Sequence, residues 1–260
     1  YNVGFVTDFG DDRWIATLDY YDFDFKNPII TENHQQLMNA YAAGGAGKAA
    51  VQSQIYGGDN LANDGSFGAA AVGRITANYI NGPATTVNGI DLYIKYEDDY
   101  ANGVISAGLE ANYVAKYSVD AYMKGTVQIA GAYECAGFFN IENPCRSMPE
   151  IKGKFFLNYQ EDQHNFYGAI NYISAYDDRR STAAGCAKTL TDGVCTEIAA
   201  HTTVDATYTY SWDDQFDFSF SVYNLTDELP PFTVWEMNYD AYTHSPLGRF
   251  FKAGFTYRMQ

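Results

Sequence analysis

The sequence predicts an all-β fold, a transmembrane antiparallel β-barrel, from three observations. Nine segments alternate apolar and polar residues with a period of two, and successive side chains of a strand leave it on opposite faces. The connections alternate strictly between short polar turns and long loops, the pattern of an outer-membrane barrel with brief turns on one side and long loops on the other. No run approaches the ~18 uninterrupted apolar residues of a helical span, so a membrane crossing here falls to strands, which need only about 9 to 11 residues each.

Taken in order, residues 1–9 set Tyr1, Val3, Phe5, Thr7 and Phe9 against Asn2, Gly4, Val6 and Asp8. Gly10-Asp11-Asp12 makes a tight turn. The second strand rises from Trp14 with Ala16, Leu18 and Tyr20 on the same apolar face. Beyond Tyr20 the phase changes, because Phe23 and Phe25 now alternate with Asp22 and Asp24. Either a β-bulge or departure of the strand from lipid accounts for that change. Residues 27–86 are a long excursion with two short helices expected, one from Thr31 through Tyr41 and one from Lys48 to Tyr56, separated by a flexible glycine run at 44–47. Such a connection is unusual inside a compact soluble sandwich.

The third strand, 87–96, places Ile90, Leu92, Ile94 and Tyr96 on one face and Gly89, Asp91, Tyr93 and Lys95 on the other. After a turn over 97–103, the fourth places Ile105, Ala107, Leu109, Ala111 and Tyr113 opposite Ser106, Gly108, Glu110 and Asn112. A second long loop spans about 115–150. Strand five then sets Ile151, Gly153, Phe155, Leu157 and Tyr159 against Lys152, Lys154, Phe156 and Asn158, and strand six sets Phe166, Gly168, Ile170 and Tyr172 against Asn165, Tyr167, Ala169 and Asn171. A third loop covers roughly 178–200, and strand seven carries Val204, Ala206, Tyr208, Tyr210 and Trp212 opposite Asp205, Thr207, Thr209 and Ser211. Past Asp213-Asp214, strand eight alternates Phe216, Phe218, Phe220 and Val222 with Asp217, Ser219, Ser221 and Tyr223. A fourth loop, about 226–248, leads to strand nine, where Phe251, Ala253, Phe255, Tyr257 and Met259 share a face. Trp14, Tyr96, Tyr159, Phe166, Trp212 and Phe216 gather beside the short turns, as an interfacial aromatic girdle would.

Composition narrows function. With 32 Asp plus Glu against 16 Lys plus Arg and a formal charge of -16, the chain lacks the basic footprint that nucleic acid requires. No nucleophile elbow, phosphate loop or His-Glu-x-x-His zinc helix occurs, so no catalytic set, cofactor or metal is expected and the chain does not read as an enzyme. His34, His164, His201 and His244 are scattered and read as surface or structural groups. Asp59, Asn60, Asn63 and Asp64 lack the spacing of a calcium loop and read as a solvated acidic stretch. Cys135 with Cys145 and Cys186 with Cys195 form two short-range pairs. Disulfides suit loops of this size in an oxidising compartment, with a four-cysteine zinc site as the rival that lacks a Cys-x-x-Cys knuckle. On the polar face Asp91, Tyr93, Asn112, Lys152, Lys154, Asn171, Asp205 and Tyr223 are the candidates to meet a polar solute in a wet lumen, with simple lining or packing as the alternative role.

Residues 216–260 also carry a resemblance, with a weaker likeness over 1–26 and 87–114. Val222-Tyr223-Asn224-Leu225-Thr226-Asp227, the paired Pro230 and Pro231, Tyr239-Asp240, Pro246-Leu247-Gly248-Arg249 and Phe255-Thr256-Tyr257-Arg258 occur in the order seen at the carboxyl end of TonB-dependent outer-membrane receptors. In that family an Asn-Leu-x-Asp segment leaves the penultimate strand and Pro-x-Gly-Arg enters the last, so Asn224, Leu225, Asp227, Pro230, Pro231, Pro246, Gly248 and Arg249 are the matching positions. The family usually closes on an aromatic residue, where this sequence has Gln260. The resemblance implies nine carboxyl-terminal strands of a 22-stranded barrel whose amino-terminal plug lies outside residues 1–260. The four long loops would be extracellular, in the outer membrane of a Gram-negative bacterium. It further implies active import of a scarce or bulky nutrient, of the siderophore, cobalamin or oligosaccharide class. The implied partners are outer-membrane lipid, the TonB energy-coupling complex acting through the absent plug, the nutrient, and a surface lipoprotein or another outer-membrane protein. A passive porin is the alternative, and a soluble all-β carbohydrate-binding module a third. Starting inside a strand at Tyr1, the sequence reads as a piece of a longer product whose secretory signal lies outside it.

Overall fold

The computed structural model describes residues 1–58, 68, 71–141, 143–178, 196–233 and 237–259. Nine long strands, Asn2–Phe9, Trp14–Phe25, Thr85–Tyr100, Gly103–Val119, Ile151–Glu161, His164–Ile173, His201–Ser211, Phe216–Tyr223 and Phe250–Tyr257, pair antiparallel in chain order as a single meander. They are called first to ninth below.

The register aligns the two faces across the whole sheet. Phe5 pairs with Leu18, Leu18 with Leu92, Leu92 with Ala111 and Ala111 with Gly153. Farther along, Leu157 meets Gly168, Gly168 meets Ala206, Ala206 meets Val222 and Val222 meets Phe251. A slip of one residue at any pair would turn a strand's apolar set to the other face. Along these rows none does so, and the apolar face runs unbroken from the first strand to the ninth.

That face is bare. Phe5, Phe155 and Phe251 remain 64%, 45% and 64% exposed, and Leu18, Ile170, Phe220 and Phe255 are exposed with them. Among the described residues the two buried clusters, one around Leu37, Tyr41, Val51, Ile55 and Tyr122 and one around Phe139, Tyr176 and Ile198, use only residues outside the nine strands. In water each uncovered large apolar side chain would forgo roughly 1.5 to 3 kcal/mol of burial. A dozen of them would exceed the ~5 to 15 kcal/mol net stability of an ordinary domain. Lipid removes that deficit without a second layer. Among the described residues no helix is long and apolar enough to cross a membrane.

Short turns join one end of the sheet. Gly10, Asp11 and Asp12 all take positive φ, as do Ala101 and Asp162. Asp213 caps the last turn by accepting the backbone N–H groups of Gln215 and Phe216 at 2.8 and 2.9 Å. Aromatic rings gather beside these turns: Trp14 lies 4.7 Å from Tyr96, Phe166 4.9 Å from Tyr208 and Phe216 4.9 Å from Tyr257.

The structure refines several expected boundaries. The third and fourth strands continue well past the lipid-length segments read from alternation, so their turn shrinks to Ala101-Asn102. The phase change after Tyr20 involves no bulge in the second strand, whose register runs regularly from Trp14 to Phe25. Asp22 and Asp24 continue on the apolar side and Phe23 stacks between Tyr21 and Phe25 on the other, as departure from lipid requires. The bulge lies between the third and fourth strands, at Asn88/Gly89.

In the first long connection the helices occupy His34–Ala43 and Gly45–Val51. Asn33 caps the first, its side chain accepting N–H groups of Gln35 and Gln36. The second starts earlier than expected, at Gly45, and Gly47 within it is packed against the first. A Cβ at Gly47 would lie 3.0 Å from the Ala40 carbonyl oxygen, so the missing side chain lets the two helices touch. Lys48 to Val51 completes that helix, a 3-10 turn covers Gln52–Gln54, and Ile55–Gly57 is a short strand.

Candidate substrate-facing site

The polar face of the sheet assembles most of the residues singled out from sequence. Asp19, Asp91, Asn112 and Lys152 pair in one row, and Thr17, Tyr93, Glu110, Lys154, Asn171 and Thr203 in the next. Of these, Thr17, Asp19, Asp91, Tyr93, Glu110, Asn112, Lys152 and Lys154 line an open recess of about 440 Å³. Asn112 donates to Asp91 at 2.6 Å and to the Tyr21 hydroxyl at 3.3 Å. Tyr21 reaches Asn112 across the intervening strand because residue 89 is glycine, and a Cβ there would collide with the Tyr21 ring and the Tyr113 carbonyl. Lys154 stands 4.0 Å from Glu110 and 5.9 Å from the rings of both Phe156 and Tyr167. The recess is therefore charged but internally matched, able to offer both donors and acceptors to a polar solute.

Asp205 and Tyr223 sit elsewhere, in a recess of about 240 Å³ with His201 and His244. Asn171 lies between the two recesses, donating to Asp205 at 2.8 Å. The other Asp205 oxygen accepts the Asn224 backbone N–H at 2.9 Å. Both oxygens are thus engaged in holding the end of the eighth strand, and Tyr223 stacks on Phe250 at 4.7 Å.

The motif after Tyr223 forms one interlocked unit. Asn224 takes φ 52°, a left-handed conformation that asparagine tolerates. Its side chain accepts the Glu228 N–H and donates to the Glu228 carbonyl, at 2.9 and 2.8 Å, closing the turn. Asp227 accepts the Arg249 N–H at 2.7 Å, and the Arg249 guanidinium donates to the Leu225 carbonyl at 3.3 Å. A Cβ at Gly248 would lie 2.5 Å from the Asp227 carboxylate, so glycine is the residue that lets the two ends of the connection meet. Pro230, Pro231 and Pro246 lie in the intervening connection.

Two polar hubs bind the long connections together, and neither was legible from residue spacing. Glu32 is almost fully buried. It accepts from Tyr122 at 2.6 Å, Lys124 at 3.2 Å, the Asn78 N–H at 3.0 Å and Gln54. Burial pushes its carboxyl up, but these donors outweigh burial and hold it below the usual carboxylate range. Burial, then the Glu32 charge, pushes the Tyr122 phenol well up. The first and second connections are thereby one body. The second hub is Asp240, which accepts from Tyr176 at 2.7 Å and from Ser147. Tyr176 also meets His244 Nε2 at 3.0 Å, and His244 Nδ1 meets His201 Nδ1 at 3.3 Å. Two of the four histidines, His201 and His244, thus come together in a network joining the second, third and fourth connections, while His164 meets Tyr208 and His34 opens the first helix.

Cys135 and Cys145 form a disulfide in the second connection. Cys186 and Cys195 lie outside the described residues, as do Asp59, Asn60, Asn63 and Asp64.

Comparison with known proteins places this geometry. The family model described as "TonB dependent receptor-like, beta-barrel" matches residues 1–225. No curated protein sequence matches. Among solved structures, a point variant of the ferric enterobactin receptor PfeA from Pseudomonas aeruginosa aligns with a TM-score of 0.55 at 14% identity, covering 98% of this chain and 30% of that one. The outer membrane transporter YddB from Escherichia coli aligns with a TM-score of 0.57 at 12% identity, covering 98% and 32%. The chain thus spans about a third of the length of the structures it matches.

Proposed function

The chain belongs to the TonB-dependent receptor-like β-barrel family, and from that premise we propose that it is the carboxyl-terminal part of a receptor that actively imports a nutrient across the outer membrane. Receptors of this family are outer-membrane proteins of Gram-negative bacteria and are transporters rather than enzymes. The observation that carries the reading is the pairing of a continuous bare apolar face with a matched, charged opposite face. One face suits lipid and the other a wet interior. In this proposal the present strands are the last nine of a 22-stranded barrel with a plug formed by preceding sequence. The connections at 27–86, 115–150, 178–200 and 226–248 face the exterior, and the short turns face the periplasm.

Transport follows from the parts. The hubs at Glu32 and Asp240 hold the outer connections as a preformed canopy, which lowers the ordering cost of capturing a solute. The candidates Asp91, Tyr93, Asn112, Lys152 and Lys154 then offer donors and acceptors on the lumen wall, exchanging contacts between solute and plug as the TonB complex pulls the plug aside. Asn171, Asp205 and Tyr223 anchor the ends of the strands that carry them. A surface lipoprotein or another outer-membrane protein is a further partner.

Two measurements on the full-length protein test this. In planar bilayers a plugged receptor stays closed and conducts only after its plug is deleted, whereas steady conductance of the intact protein means a passive porin. In intact cells a membrane-impermeant maleimide should label Tyr79→Cys and spare Asp213→Cys; the reverse pattern overturns the orientation.

A further inference from the structure

We propose that the cavity between the first and second long connections binds a neutral saccharide unit of the imported solute, an inference that rests on the import reading above. The cavity holds about 170 Å³, well below the ~300 Å³ at which pockets for drug-sized ligands begin, so it takes one ring rather than a bulky chelate.

Its place fits capture on the way in. Thr85, Tyr117 and Val119 form its floor. They follow Asp91 and Asn112 along the polar face of the third and fourth strands, because Val87 pairs with Tyr117 and Thr85 with Val119 beyond the bulge. Pro28, Glu32 and Gln36 from the first connection and Tyr133 from the second enclose it. The Glu32 hub locks those two connections to each other, so the cavity exists before any ligand arrives.

Its chemistry selects the ligand. None of the described lining residues is Lys, Arg or His; Asp120 brings an exposed carboxylate, while the Glu32 carboxylate is already taken up by Tyr122, Lys124, Gln54 and the Asn78 N–H. A carboxylate, phosphate or catecholate entering here would shed water against charge of its own sign. The walls are instead the rings of Tyr117, Tyr122 and Tyr133 with Pro28 and Pro83, flat surfaces suited to the C–H face of a pyranose. Polar atoms stand at the edges of those surfaces. Burial, then the neighbouring Tyr117 phenol, pushes Tyr133 up to about 12, so its hydroxyl remains a donor at neutral pH. The exposed Asp120 carboxylate and the half-buried Gln36 amide add an acceptor and a two-way partner for sugar hydroxyls.

The test is titration calorimetry of the full-length receptor with cellotetraose, maltotetraose, xylotetraose and mannotetraose, against the anionic trigalacturonate. At least one neutral tetrasaccharide should bind saturably, and trigalacturonate at least about 10-fold more weakly. Tyr133→Phe should weaken the neutral ligand by about 5-fold and Asp120→Asn by about 10-fold, the size of one lost neutral and one lost charge-assisted hydrogen bond. Both substitutions are isosteric, and unchanged heat-modifiability on gels verifies that the barrel is folded. Tighter binding of trigalacturonate, no binding of any neutral member, or indifference to both substitutions overturns the proposal. TonB-dependent uptake of a ferric catecholate that ignores both substitutions would do the same while leaving import intact. Steady conductance of the intact barrel would instead remove the import reading and leave the binding measurement standing.

Discussion

Acidification should release the fourth connection from the rest of the canopy, and His244 is the group that makes it do so. The ring is buried against Tyr176, Asp240 and His201. Burial, then the His201 ring, outweighs the pull of Asp240 and, with Lys152 adding to the lowering, sets its pKa at about 4 against an ordinary 6.5. The hydrogen bonds assign one neutral tautomer: Tyr176 donates to Asp240, His244 Nε2–H donates to Tyr176, and His201 Nδ1–H donates to His244 Nδ1. A second proton on His244 would set two N–H groups against each other. Because the docked pKa is depressed, the undocked connection binds the proton more readily. Docking is therefore complete above pH 6.5 and weakens as pH falls from there toward 4. Linkage between those two pKa values gives a loss of about 20-fold, or ~2 kcal/mol, on going from pH 7 to pH 5. Burial lowers His201 as well, against the pull of the facing Glu228. Hydrogen exchange of peptides covering residues 237–248, corrected for intrinsic rates, reads this directly. Protection that falls about 20-fold in the native protein and by clearly less in His244→Gln, where only the His201 ring is left to take up a proton, is the expected result. Equal protection at both pH values would refute the assigned tautomer chain.

Other outcomes follow from the same structure. Glu32→Ala should leave Tyr122, Lys124 and Gln54 facing each other without their shared acceptor, at a cost of about 3 to 5 kcal/mol to the docking of the first two connections, seen as protease cutting near residue 45. Undiminished protease resistance would mean the hub is dispensable. Leu109→Arg, between Ile94 and Phe155 on the bare face, should cost roughly 2 to 4 kcal/mol in refolding into lipid, and a neutral effect would contradict lipid contact. Gly248→Ala should push against the Asp227 carboxylate and loosen the hold on Arg249, lowering stability by about 1 to 3 kcal/mol by urea titration in vesicles, whereas a stabilised protein would disprove the close approach. Replacing Cys135 and Cys145 together by serine should free the second connection by about 2 to 4 kcal/mol, measured as faster exchange over residues 133–148.

What the residues disclosed before any coordinates depended on range. Period-two alternation is a local signal, and the faces it assigned within the nine alternating segments, such as Phe5, Phe155 and Phe251 on the apolar side, agree with the cross-strand pairing. The fourth connection was also legible, because Asn224, Asp227, Gly248 and Arg249 are residues whose backbone or reach no substitute reproduces. Spacing could not disclose where a strand outruns lipid, since the third and fourth strands stay paired to Thr85 and Val119 through residues that no longer alternate cleanly. Nor could it reveal that Gly47 packs, because that glycine is explained only by the Ala40 carbonyl opposite it.

The canopy was the least legible part, for a physical reason that also bears on how the protein works. A strand in lipid must satisfy its backbone through its neighbours and must present apolar atoms outward, so its sequence is constrained residue by residue. A connection in water has no such obligation and is held by a few contacts between distant positions. Glu32 meets Lys124 across 92 residues and Tyr176 meets His244 across 68. Each hub is a polar group buried at a cost that only its complete set of partners offsets. The barrel wall is therefore stable strand by strand, whereas the outer connections dock or release as units. In the proposed import, capture would use that division: a fixed wall carrying Asp91, Asn112 and Lys154, and connections whose docked state is set by two buried side-chain clusters, of which one, at His244, responds to pH.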